Sequence, residues 1–337
     1  MLSYAITMYR LKIPREPKTL AVVCAVSGCA LGLLGGYILF VHSPVSPLLG
    51  NNCHKNFPLT SARLDCTYDD TAARLHSLDT QFDAAAQQYI NEGKATKVSV
   101  WARDLSSAQW AAANETTTYS PASLMKLPLM LAYYKIAEIE PSILTDQVVY
   151  QPATTTDTTL AFTPPTTMVA GNSYTVDDLI VRMITNSDND AAMMLYRKLG
   201  RQNFINILIQ LGIKIPTSDK IINFVTVENY ANIYRMLYNA SYLNRVYSEK
   251  ALELMTKSSF KGIADPLPAG TIVAHKFGER TVVDTAGGTV ITRELHDCGI
   301  VNGKDGPYTL CIMTEGTNFD DLLSIIKDLS KLANDNL

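Results

Sequence analysis

Strand-type segments in this chain fall into two groups separated by a long helical stretch, and that order limits the folds open to it. "VSVWARDL", Val98–Leu105, alternates as a strand does, and "QWAAANE" after it can return as its hairpin partner. Three more strands, "TIVAHKF", "LHDCGIV" and "YTLCIMTEG", arrive only near the C-terminus. The intervening segments have helical spacing. Ser120–Glu140 closes at Pro141, with Pro128 expected to kink it or limit its first turns. "TVDDLIVRMI" has Thr175 as a cap, and "AAMMLYRKLG" and "FINILIQLG" stop on Gly200 and Gly212. "TVENYANIYRMLYNA" and "SEKALELMTKS" give two further helices. Helical spacing also runs from Asp69 to about Glu92, and "FDDLLSIIKDLSKLA" ends the chain as an amphipathic helix. Ala153–Thr167, rich in Thr and Pro, reads as a loop. No βαβ alternation appears, so a doubly wound parallel sheet is disfavoured. The expected class is α+β: a five-stranded antiparallel sheet with packed helices plus an all-helical subdomain.

The N-terminus is of a different character. Leu20–Val41 carries no charge and is about long enough to cross a bilayer core. Arg10, Lys12, Arg15 and Lys18 precede it, and no Lys or Arg follows until Lys55. The positive-inside rule then gives a single-pass anchor at the cell membrane, with residues 1–19 cytoplasmic. Residues 42–75 become an extracytoplasmic linker and 76–337 the globular domain. A cleaved signal peptide is the alternative, disfavoured by the segment's length and the lack of an A-x-A site. Gly28 and Gly32 form a GxxxG, a weak pairing signal among so many small residues.

Composition narrows the function classes. With 47% hydrophobic and 18% charged residues the chain can bury a core. A net charge of -3 supplies no basic field for nucleic acid. Five scattered histidines, without HExxH or a CxxC pair, point to no metal and no cofactor. Cys53 and Cys66 can pair in an oxidising compartment. If Lys304 and Asp305 turn a hairpin, Cys298 and Cys311 face each other, as a cross-strand disulfide or as two buried thiols.

Three short stretches carry the chemistry. In "SPASLMKL", Ser123 and Lys126 share one helical face, as a nucleophile and its base would. A cap beside a surface lysine is the plain alternative. "NSDND" places Ser187, Asp188 and Asn189 between two helices, where an N-cap alone would also suit. In "HKFGE", Lys276, Phe277 and Gly278 lie near a strand end, and the glycine permits close approach of a ligand.

SxxK, SDN and K-x-G in that order resemble the signature of class A β-lactamases and penicillin-binding proteins, a serine hydrolase superfamily. The resemblance runs from about His76 to the C-terminus and includes the order of elements. It implies that Ser123 is the acylated nucleophile and Lys126 its base. Ser187 would bridge Lys126 and Lys276 and pass a proton to the leaving nitrogen. Asn189 would hold the substrate's amide side chain, and Lys276 would attract its carboxylate. The oxyanion hole would be the N–H groups of Ser123 and of Glu279, which follows Gly278.

Two departures bear on activity. The Thr or Ser expected after Lys276 is Phe277, which cannot donate to a carboxylate, a loss of about 1.5–3 kcal/mol. No E-x-x-L-N, the source of the deacylating glutamate, follows SDN; Asp219 is the single carboxylate of "IKIPTSDKIINF". The expectation is therefore a membrane-anchored serine hydrolase, a D,D-peptidase acting on peptidoglycan-like peptides. A weak β-lactamase taking β-lactams, and a non-catalytic relative that binds a wall peptide or a partner, are the alternatives.

Overall fold

The computed structural model describes residues 74–152, 161–162, 168–218, 220–284 and 288–337. The apolar segment 20–41, nearly all of the linker, Cys53, Cys66 and Asp219 lie outside them. Among the described residues no helix is long and apolar enough to cross a membrane.

Helix α1 (His76–Asn91) leads into strands β1 (Lys97–Asp104) and β2 (Trp110–Ala113). A 3-10 turn (Ala122–Met125) runs directly into α2 (Lys126–Ala137). A small ribbon of β3 (Gln147–Val149) and β4 (Ser173–Thr175) precedes α3 (Val176–Thr185), α4 (Asn189–Leu199) and α5 (Arg201–Gln210). Then come α6 (Val227–Tyr238), α7 (Arg245–Met255), β5 (Ile272–Val283), β6 (Val290–Asn302), β7 (Pro307–Gly316) and α8 (Phe319–Asn334). The large sheet has the order β2-β1-β7-β6-β5, antiparallel throughout, so the five-stranded expectation is met.

Alternation along each strand divides the core in two. Val98, Val100, Leu310 and Ile312 face α1 and α8, meeting Phe82 and the Leu322, Ile325, Ile326 and Leu329 stripe. Trp101, Cys298, Cys311 and Met313 face the helical subdomain. At its centre runs α2, buried along nearly its whole length because "LPLMLAYY" is apolar on every side. Pro128 sits in the first turn of α2, where its missing N–H has no intrahelical partner to lose.

Register puts Trp101, Cys311, Cys298 and Lys276 in one row across β1, β7, β6 and β5. Cys298 and Cys311 are joined by a disulfide. The strand carrying Lys276 does not turn at Gly278, as a reading of "HKFGE" suggests; it continues to Val283, paired with β6. "ERTVV" and "VITRE" alternate as strand partners, and this extension forms one wall of the site. The β3–β4 ribbon has no counterpart in the sequence reading, because three-residue strands leave too short a pattern.

On the far face of the sheet His275 and Asp297 form a fully buried pair at 2.8 Å. Asp297 also accepts the Ile263 N–H. Gly299 makes room for this pair. A Cβ there would stand 2.6 Å from both the Ala274 carbonyl oxygen and His275 Cβ. Gly299→Ala is therefore expected to cost about 1–3 kcal/mol, read as a fall in the thermal midpoint of the full-length chain.

Candidate active site

Ser123 and Lys126 sit three apart on the 3-10 turn and the first residue of α2, where i and i+3 eclipse each other. Lys126 Nζ lies 2.9 Å from Ser123 Oγ. Neither residue fills its plain alternative: Ser123 makes no cap, and Lys126 is 6% exposed. At the second motif the two readings divide by residue. Asp188 is the N-cap of α4, accepting the N–H groups of Asp190 and Ala191. Ser187 and Asn189 turn instead toward Lys126, whose Nζ lies 2.6 Å from the Ser187 carbonyl, 2.9 Å from Ser187 Oγ and 2.6 Å from Asn189 Oδ1. Lys276 reaches the same hydroxyl from β5, at 3.0 Å, and donates to the Phe277 carbonyl at 2.8 Å. The three motifs thus meet at Ser187 Oγ.

Two buried amines cannot both stay charged around one hydroxyl. Burial brings Lys126 down to about 7 from the usual lysine range, with Asp188 opposing that fall. Lys276, fully buried, is held well below that range by burial and by Lys126. The hydrogen-bond inventory then assigns Lys126 a role. A neutral amine has two N–H donors and one lone pair. Two neighbours, the Ser187 carbonyl and Asn189 Oδ1, can only accept. They take both donors and leave the lone pair for a hydroxyl proton, with Ser123 in reach.

Strained backbone holds the arrangement. Ala122 (φ 46°) and Ser187 (φ 56°) adopt left-handed conformations that cost a non-glycine residue about 1–3 kcal/mol each. Neighbouring elements hold the nucleophile turn in place. Glu294 accepts the Ser120 N–H at 3.0 Å, His296 Nε2 donates to the Ser120 carbonyl at 2.9 Å, and Tyr230 donates to the Leu124 carbonyl at 2.7 Å. His296 keeps a neutral ring because burial lowers it to about 4. Gly278 lets β5 press against this turn: a Cβ would stand 2.9 Å from Leu124 Cγ and 3.0 Å from the Pro121 carbonyl. Glu294, His296 and Tyr230 were not singled out from the sequence, for they come from distant segments and bear no motif.

A cavity of about 450 Å³ opens beside Ser123. Ser123, Lys126, Asn189 and Tyr196 line it, with Glu279, Arg280 and Thr281 of the extended β5 opposite. Ser187, Lys276 and Gly278 lie behind this surface. The Glu279 carboxylate is engaged by the N–H groups of Ala161 (2.5 Å) and Phe162 (3.1 Å), fastening that loop to the strand. Phe277 is not in the cavity. Alternation turns its ring to the opposite face, stacked on Phe260 at 4.3 Å and edge-on to Phe162 at 5.1 Å.

A family profile described as "Beta-lactamase enzyme family" matches residues 80–337. The chain belongs to that family. Solved structures share its fold. A mutant of PBP-A, an acyl-enzyme complex with penicillin G, is 19% identical, with a TM-score of 0.63 over 78% of this chain and 97% of that one. The TLA-3 extended-spectrum β-lactamase is 21% identical, with a TM-score of 0.64 over 76% and 98%. A representative class A β-lactamase from Bacteroides cellulosilyticus is 20% identical, with a TM-score of 0.62 over 77% and 97%. No curated protein matches the chain.

Because burial lowers Lys126, its proton should leave near neutral pH. In the full-length chain labelled at lysine Cε, a resonance absent from Lys126→Arg is expected to titrate with a midpoint near 7. A midpoint near 10, the unperturbed lysine value, would show that the amine is solvated.

Proposed function

We propose that this protein is a serine acyl-transferring hydrolase that forms an acyl-enzyme at Ser123, and that its substrates are peptidoglycan-like peptides cleaved as by a D,D-peptidase. The observation that carries the reading is the position of Lys126 Nζ, 2.9 Å from Ser123 Oγ and 2.6 Å from each of two groups that only accept, the Ser187 carbonyl and Asn189 Oδ1. Lys126 removes the Ser123 Oγ proton as Oγ attacks the substrate carbonyl carbon. The backbone N–H groups of Ser123 and Glu279 receive the developing oxyanion. The C–N bond then breaks, and the proton passes from Lys126 through Ser187 Oγ to the leaving nitrogen. Asn189 holds the substrate amide, and Lys276 lies behind Ser187, within reach of its hydroxyl. Water finally cleaves the ester, releasing the acid and restoring Ser123.

Deacylation should be the slow step. Residues 213–225, where the family's deacylating glutamate would be sought, hold no glutamate and Asp219 as their single carboxylate, and Glu279 is already engaged by two N–H groups. A mutant of PBP-A, one of the fold relatives, is captured with penicillin G as an acyl-enzyme. The family description favours a second reading, a β-lactamase that turns over β-lactams. The uncharged segment 20–41 behind four basic residues supports an anchored, extracytoplasmic domain, on the side of the membrane where such peptides lie.

The test is intact-mass spectrometry of the full-length chain with a penicillin. Wild type is expected to gain one lasting adduct and Ser123→Ala none, and the adduct should form faster as pH rises through about 7, because only neutral Lys126 accepts the proton. Drug loss without a lasting adduct would establish the β-lactamase reading instead. Neither adduct nor drug loss would leave a binding protein.

A further inference from the structure

Three groups surround Lys276 Nζ. It lies 2.8 Å from the Phe277 carbonyl, 3.0 Å from Ser187 Oγ and 4.0 Å from the centroid of the Phe277 ring, whose π face attracts an amine N–H. An amine has at most three N–H groups, so the protein itself supplies a neighbour for each. The lysine is fully buried and does not line the catalytic cavity. The ring beside it is held in turn: Phe260 stacks on it at 4.3 Å, and Phe162 meets the two rings edge-on at 5.1 and 5.6 Å. Phe277 therefore does more than omit a hydroxyl. Its ring and carbonyl take up the lysine that the resemblance assigns to a substrate carboxylate.

The cavity wall offers an anion nothing in exchange. Among the described residues its basic members are Lys126 and Arg280. Lys126, lowered to about 7 by burial, is turned to Ser123, Ser187 and Asn189. Arg280 pairs with the buried Glu294 at 3.3 Å. Residues 153–160, 163–167, 219 and 285–287 contain no Lys or Arg. The acid on this wall is Glu279, next to Gly278, whose carboxylate accepts the N–H groups of Ala161 and Phe162.

We infer that the leaving residue of the substrate carries its carboxyl group as an uncharged amide or ester, so that the cut falls inside a peptide and not before a free C-terminal residue. The inference rests on the proposed acyl transfer. The leaving nitrogen takes its proton from Ser187 Oγ, and the carboxyl carbon of the leaving residue is two bonds from that nitrogen, in the same part of the cavity. A carboxylate there meets like charge on Glu279 and a lysine already engaged by Phe277. An amide escapes the repulsion and still donates and accepts hydrogen bonds.

Calorimetric titration of the full-length Ser123→Ala chain with acetyl-D-alanyl-D-alanine and with its C-terminal amide tests this without turnover. The amide should bind at least about 5-fold tighter than the acid. Adding Glu279→Gln should bring the ratio to about twofold or less by tightening the acid alone. Adding Phe277→Thr, which restores a hydroxyl and uncovers Lys276, should tighten the acid about 10-fold. Should Phe277→Thr fail to fold, the parent chain and Glu279→Gln decide by themselves. An acid bound as tightly as the amide, no binding of either, a ratio unmoved by Glu279→Gln, or an acid affinity unmoved in a folded Phe277→Thr chain would overturn the inference. The outcome is separable from the acyl-enzyme reading. An amide preference in a chain that no penicillin acylates would keep the specificity and remove the chemistry, and a penicillin adduct on a chain that prefers the acid would do the reverse.

Discussion

The site depends on one hydroxyl shared by two buried lysines. Ser187 Oγ lies 2.9 Å from Lys126 Nζ and 3.0 Å from Lys276 Nζ, and both lysines are buried. Desolvation and mutual repulsion act in the same direction, toward proton loss. A lysine that would be an inert cation at the surface is thereby converted into a base at neutral pH. The remaining features around it serve to keep that cluster dry and in register. The strained φ at Ser187 brings its carbonyl and hydroxyl to the same amine. Gly278 lets the strand approach, and Asn189 absorbs the second donor.

The departure at Phe277 takes on another meaning in this frame. Read against the resemblance, it is a lost hydroxyl. In the structure its ring belongs to the packing of the opposite face, with Phe260 and Phe162. Along β5 the side chains of Lys276 and Arg280 point toward the helical subdomain while Phe277 points away. Arg280, two residues beyond Gly278, lines the cavity.

The order of helices and strands was legible because it rests on local patterns: alternation in "VSVWARDL", a cap at Thr175, stops at Gly200 and Gly212. The three motifs were legible as short strings, and their meeting point followed from a resemblance. What could not be read is what depends on distant segments. Glu294, His296 and Tyr230 hold the nucleophile turn from β6 and α6, and nothing in their immediate neighbours announces it. The continuation of β5 past Gly278 was hidden because a glycine followed by the charged pair Glu279 and Arg280 looks like a turn. Its role is a close contact with Leu124, visible only when both segments are placed.

Strand β1 pairs with β7, joining residues 97–104 to 308–315. A ribosome delivers the first long before the second. While it does, Ser123 and Lys126 already exist in the emerging polypeptide, but the strand bearing Lys276 and the one bearing Glu294 do not. Closing a loop of this length precedes any gain from the contacts it brings. The chemistry is therefore acquired last, when the C-terminal strands slot between the N-terminal hairpin and the helices. A nascent or truncated chain carries every motif of its first two-thirds and still has no site.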